Sequence, residues 1–196
     1  HSENPMQYLQ RGLADPHRAA VFDCASDDRW TYEQLFDRTK SVAARLIRAA
    51  GWRQGNRVGL FLQRRMESAA LLLGIFGAGG IAVPLSVRGT AREIAHQITE
   101  AGITHLILPN ESALRQVLND AVPQATEHRL KLELLETSAI LDDMSPVPPL
   151  DLVPEAPALI LYTSGTTGPP KGVVHTNASL MTQVEVLYQS WEWRAE

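Results

Sequence analysis

Apolar positions along this chain follow two rhythms, short unbroken runs and longer stretches spaced by threes and fours. Tyr32, Leu35, Phe36, Thr39, Val42, Ala43, Leu46, Ile47 and Ala50 recur at helical spacing. Thr31 and Gln34 stand before them in the T-x-x-Q arrangement of a capping box, and Gly51 follows them. The spacing predicts an amphipathic helix. The runs "AAVFDCA" (Ala19–Ala25) and "RVGLFLQ" (Arg57–Gln63) predict strands, the second buried on both faces at Val58, Leu60, Phe61 and Leu62. A helix rich in small residues is expected from Met66, with room for close backbone approach, and "IAVPL" (Ile81–Leu85) returns as a strand. Residues 90–102 read as a helix with Gly102 on its C-terminal side, 104–109 as a strand, and 111–122 as a helix stopped by Pro123.

Strands alternating with helix-sized crossovers predict an α/β fold, a mainly parallel sheet flanked by helices on both faces. Past Gln124 the pattern thins. "HRLKLELLE" (128–136) suits a strand without fixing its register. "SPVPPLDLVPEAP" (Ser145–Pro157) carries prolines at 146, 148, 149, 154 and 157 and reads as an extended connector kept out of sheet interiors. An apolar run, a polar loop, a second short strand and a helix from Asn177 complete the chain. The organisation expected is therefore 1–144, an α/β unit; 145–157, the connector; and 158–196, the loop with its strands and helix.

Composition narrows the function classes. At 196 residues the length suits one domain, and 44% hydrophobic with 20% charged residues is ordinary for a globular chain. A net charge of −4 offers no basic excess for a nucleic-acid backbone, although a local anion site needs only a few donors. The single cysteine, Cys24, leaves no intramolecular disulfide and no cysteine-built metal site, and reads as a half-buried thiol on a strand. His96 and His105, without nearby cysteines or acid clusters, read as packing or surface residues. The most apolar stretch, 69–85, is interrupted by Gly74, Gly77, Gly79, Gly80 and Pro84, so no membrane span is expected. The first residues lack the basic and apolar regions of a signal peptide, which suits a cytoplasmic protein, or a mitochondrial matrix protein whose targeting segment has been removed.

The chemistry concentrates in "ALILYTSGTTGPPKGVVHT" (Ala158–Thr176). Thr163, Ser164, Thr166 and Thr167 supply hydroxyls, Gly165 and Gly168 let a ligand approach backbone amides, Pro169 and Pro170 stiffen the exit, and Lys171 adds a mobile positive charge. The residues alone leave two readings, a plain hairpin loop and a polyphosphate cradle; four hydroxyls and a lysine between apolar strands favour the cradle. A Walker loop it is not. The spacing is G-x-x-G-x-x-K, Gly172 stands where Ser or Thr would hold Mg²⁺, and "GVVHT" reads as a strand instead of a helix.

"YTSGTTGPPKGVVHT" closely resembles the signature loop of the adenylate-forming superfamily, which comprises acyl- and aryl-CoA synthetases, adenylation domains of peptide synthetases, and luciferases. "WTYEQL" and "GNRVGLFLQRRMESAALLLGIFGAGGIAVPL" resemble that family's earlier blocks, so the likeness covers about residues 15–196, the first part of its large N-terminal domain. The resemblance implies ATP, Mg²⁺ and the co-substrate CoA: a carboxylate attacks the α-phosphate to give an acyl-adenylate and pyrophosphate, and a thiol then displaces AMP. It assigns Thr163, Ser164, Gly165, Thr166, Thr167, Gly168 and Lys171 to the β- and γ-phosphates.

The same resemblance places the adenine, ribose and acyl pockets, the metal-binding glutamate and the catalytic lysine of the C-terminal domain beyond Glu196. No catalytic or metal-binding residue is therefore expected within this chain, which reads as an inactive portion of an acid–thiol ligase that needs the remainder of the same enzyme as its partner. The wording "GGIAVPL" and the helix end "LYQSWEW" resemble the malonyl-CoA synthetase branch, which implies a short dicarboxylate such as malonate. Trp191 and Trp193 read equally as aromatics capping a helix against the sheet. The alternatives are a peptide-synthetase adenylation domain and a non-catalytic nucleotide-binding or interaction module. Unpaired sheet edges and exposed apolar surface are expected to make the chain self-associate.

Overall fold

The structure, a computed structural model, describes residues 5–23, 26–127, 131–148, 150, 152–163 and 171–190. Cys24, Trp191, Trp193 and the loop residues 164–170 lie outside the described residues.

Helix α1 (Pro5–Gln10) precedes a short hairpin of β1 (Ala19–Phe22) and β2 (Arg29–Thr31). The six-stranded sheet is then laid down by β3 (Arg57–Phe61), β4 (Ile81–Leu85), β5 (His105–Leu108), β6 (Glu133–Glu136), β7 (Pro157–Thr163) and β8 (Lys171–Thr176), in the spatial order β6-β5-β3-β4-β7-β8. All neighbours are parallel except β7 and β8, which pair antiparallel. Helices α2 (Tyr32–Ile47), α3 (Met66–Gly77) and α6 (Thr137–Leu141) lie on one face and α4 (Ala91–Glu100) and α5 (Ser112–Thr126) on the other. Helix α7 (Asn177–Ser190) follows β8. The expected α/β architecture is present, its parallel strands closed at one side by an antiparallel partner.

Strand alternation splits the interior into two cores. Val58 and Leu60 of β3, Ala82 of β4 and Leu135 of β6 join Val42, Leu46, Ile75 and Ile140 on the first face. Phe61, Val83, Leu85 and Leu106 join Ile94, Ile98, Leu114 and Leu118 on the second. Leu46, Leu60, Ile75 and Ile94 are fully buried, each worth roughly 1.5–3 kcal/mol relative to exposure. Helix α2 carries the expected capping box, Thr31 Oγ1 accepting from the Gln34 N–H and Gln34 Oε1 from the Thr31 N–H. The glycine of α3 that permits close approach is Gly74, over Val42 of α2.

Four expectations are corrected. The first strand is not part of the large sheet; it turns back onto Arg29–Thr31, because the polar segment between them is short enough to close a hairpin. The strand at 57 ends at Phe61, and Leu62 is exposed where the chain turns towards α3. Ala50 lies past the end of α2 and is exposed, while Ala49 takes the buried position. Pro123 does not stop its helix: α5 continues to Thr126, since a proline this near the C-terminus removes a single N–H donor and the Pro123 carbonyl still accepts from the Glu127 N–H.

Candidate functional site

The polar loop leaves the sheet at the carboxyl ends of its parallel strands. Thr163 and Lys171 form the last cross-strand pair of the β7–β8 hairpin, and residues 164–170 span the gap between them. Directly opposed residues share a face of a sheet, so Thr163 and Lys171 stand side by side. Thr163 Oγ1 lies 3.4 Å from the Lys171 carbonyl. Both residues are exposed. Of the seven residues assigned to phosphate, these two are described; Ser164, Gly165, Thr166, Thr167 and Gly168 are outside the described residues.

What fixes the mouth of the loop lies one pair back. Tyr162 opposes Gly172 and, with Ile160, faces the second core. A Cβ at Gly172 would meet Ile160 Cγ2 at 3.0 Å and the Tyr162 ring at 3.5 Å, so glycine lets that ring lie across both strands. Burial, with the Glu100 carboxylate beside it, pushes the Tyr162 phenol above its ordinary pKa, and it stays protonated. At the far end of β8, the hydroxyls of Thr176 and Ser179 each accept the other's backbone N–H (3.1 and 2.9 Å), capping α7. The buried Asn177 amide donates to the Val153 carbonyl at 3.1 Å, tying the proline-rich connector to the end of the hairpin.

Two neighbouring connections share this edge. In the β4–β7 pairing Ala82 opposes Leu159; carried along both strands, that register sets Leu85 beside Tyr162 and Ser86 beside Thr163. The turn after β4, Ser86 to Gly89, closes with the Gly89 N–H on the Ser86 carbonyl (3.1 Å) and presents the exposed Arg88. The Arg88 guanidinium makes no hydrogen bond or ion pair among the described residues. The residues alone did not single Arg88 out, because only the strand order puts its turn next to the loop. Beyond it, where α3 and α5 leave for opposite faces, a crevice opens between Gln63, Ser68, Asn110 and Thr137.

Among the described residues no three His, Cys, Asp or Glu side chains converge. What Thr163 and Lys171 offer at the mouth of the hairpin is a hydroxyl and a cationic donor to an anion. His96 is exposed, and His105 is buried at the amino-terminal end of β5. No helix among the described residues is long and apolar enough to cross a membrane.

Comparison with known proteins adds the wider setting. The family model described as AMP-binding enzyme matches residues 10–195. A probable CoA ligase, CCL8 of Humulus lupulus, is 34% identical over 150 residues, 71% of this chain and 24% of its own length. The malonate–CoA ligase of Arabidopsis thaliana is 34% identical over 146 residues, with the same coverage of 71% and 24%. The chain thus spans about a quarter of these relatives' length. Among solved structures, ATP-bound MatB from Rhodopseudomonas palustris superposes with a TM-score of 0.79 at 27% identity, covering 96% of this chain and 38% of that protein.

Proposed function

The chain belongs to the AMP-binding enzyme family, whose model matches residues 10–195, and from that premise we propose that it is the phosphate-binding portion of an acid–thiol ligase that activates a carboxylate with ATP and passes it to CoA. The observation that carries the reading is the β7–β8 hairpin, which opens at the carboxyl edge of the sheet with Thr163 and Lys171 side by side at its mouth. Residues 1–144 form the α/β unit that holds this hairpin, 145–157 the connector, and 158–196 the gripping element.

Attack of a carboxylate on the α-phosphate breaks the bond to the bridging oxygen, and negative charge accumulates on the departing pyrophosphate. Donors fixed beforehand stabilise that charge without reorganising. Thr163 offers a hydroxyl and Lys171 an ammonium; Ser164, Gly165, Thr166, Thr167 and Gly168 complete the cradle with hydroxyls and amides. The groups that orient the carboxylate, bind Mg²⁺ and position CoA belong to the remainder of the enzyme. Malonate is the acid favoured here, because a malonate–CoA ligase stands among the similar sequences and the "GGIAVPL" wording points the same way. The cytoplasm, where ATP and CoA are both plentiful, is the proposed site of action.

The test uses the complete enzyme that carries this chain. Radiolabelled pyrophosphate is expected to exchange into ATP only when a carboxylate is present, malonate best among simple acids. Lys171→Ala is expected to slow the exchange by about 10²-fold or more, the cost of losing one preorganised donor. Exchange without any carboxylate requirement, or none with any acid, would sink the reading. Exchange driven by amino acids would move it to a peptide-synthetase adenylation domain.

A further inference from the structure

We propose that Arg88 is a second cation of this polyphosphate site, reaching from the turn after β4 to the phosphates held at the mouth of the β7–β8 hairpin. The inference rests on the phosphate reading of that hairpin and adds a residue from a different part of the chain.

The placement follows from sheet register. Strand β4 is hydrogen-bonded to β7, and the Ala82–Leu159 register, continued four residues along both chains, would set Ser86 level with Thr163. Thr163 is itself paired with Lys171. Three consecutive strands, β4, β7 and β8, therefore deliver Arg88, Thr163 and Lys171 to one edge. Neighbouring strands lie ~4.8 Å apart, so β4, which leads into the Arg88 turn, and β8, which begins with Lys171, are separated by roughly two such spacings, a span that two long side chains can bridge from either side.

Conformation and charge both suit the role. The turn is braced from within, the Arg88 N–H donating to Ser86 Oγ at 3.3 Å and the Gly89 N–H to the Ser86 carbonyl at 3.1 Å. It is also fixed from behind, because α4 begins at once with its own capping box between Thr90 and Glu93. The guanidinium, by contrast, is exposed and makes no hydrogen bond or ion pair among the described residues. Some arginines elsewhere on the fold are occupied, Arg48 by Asp143 and Arg115 by Glu136. Chemistry supplies the demand: a departing pyrophosphate carries about three negative charges near neutral pH, and Lys171 answers one. A planar guanidinium matches two phosphate oxygens at once, which the lysine ammonium does not.

Calorimetric titration of the complete enzyme that carries this chain with inorganic pyrophosphate, and separately with AMP, tests the assignment. The variants are Arg88→Ala, Arg88→Glu and Lys171→Ala, with Arg53→Ala on the opposite edge as a control and thermal melts to confirm folding. Arg88→Ala is expected to weaken pyrophosphate binding about tenfold, Arg88→Glu more, with AMP binding unchanged and Arg53→Ala silent. Pyrophosphate affinity within twofold of the parent for both Arg88 variants, while Lys171→Ala loses it, would overturn the role of Arg88 and leave the loop reading standing. Equal losses for pyrophosphate and AMP, or Arg88→Ala and Arg88→Glu binding alike, would also overturn it. If the parent enzyme binds no pyrophosphate, this inference and the phosphate reading of the hairpin fall together.

Discussion

Gly74 marks the place where α2 and α3 come closest. A methyl group added there would lie 2.4 Å from Val42 Cβ and 2.9 Å from the Thr39 carbonyl oxygen, and that oxygen belongs to backbone that cannot swing aside. Alanine normally gains up to about 1 kcal/mol over glycine inside a helix. Forcing two packed helices apart costs about 1–3 kcal/mol, so Gly74→Ala is expected to destabilise on balance. Urea unfolding of the two proteins measures the difference; a variant as stable as the parent would mean that the helices separate freely. The buried His105 is the other telling residue. Its Nε2–H faces the Ala50 carbonyl at 3.2 Å, its Nδ1 lies 2.8 Å from the Thr104 hydroxyl, and its ring meets Trp52 edge-on at 5.0 Å. Burial holds its pKa below the ordinary histidine value, against smaller opposing effects of the Ala50 carbonyl and Glu133. The unfolded chain therefore binds the proton more readily than the folded one. Stability is complete above the ordinary value near 6.5 and falls as pH drops through the lower folded value. The urea midpoint should decline from pH 7.5 towards pH 5, and His105→Gln should flatten that decline. An unchanged slope in the variant would assign the pH dependence to other groups.

Among the elements, helix ends and strands differ in how much the residues disclose. The start of α2 is legible because capping is local: Thr31 and Gln34 satisfy each other's backbone N–H groups within one turn. Thr31→Ala is expected to cost about 1 kcal/mol, seen as a lower urea midpoint; no change would mean that the tertiary packing of Leu35 and Val42 sets the helix start alone. The proposed phosphate loop stands out in the sequence for the same reason, its glycines, hydroxyls and lysine being contiguous. Pairing partners were not. "AAVFDCA" has the apolar content of a sheet strand, and nothing in it says that β2, a strand of Arg29–Thr31, closes back on it instead. Pro123 misleads because its cost depends on how much helix follows, and here only three residues do. Arg88 was invisible for a third reason. Its proposed role depends on β4 lying next to β7, two elements separated by three helices, two strands and the connector.

Taken whole, the molecule ends in two unlike sheet edges. At one, β6 presents Glu133 and Glu136, charges of the kind that discourage another strand from docking. At the other, β8 has, among the described residues, a neighbour only in β7, and Val173 and Val174 on its two faces are 44% and 55% exposed, with Leu161 of β7 at 39%. An unpaired backbone flanked by apolar side chains is a template for a further strand. In the isolated chain a second copy is the available partner, so weight-average mass by light scattering is expected to rise with concentration. Placing charge on both faces of that edge, with Val173→Lys and Val174→Lys together, should lower the apparent mass towards the monomer. Substituting Leu134, exposed at the β6 edge, by Lys should leave it nearly unchanged. A monomer throughout the dilution series would show that β8 is closed to pairing, and an equal response to the Leu134 change would move the contact to the opposite edge. Because Lys171 opens β8, association through this strand should also compete with anion binding at its first residue. Added pyrophosphate should then shift the series towards smaller species.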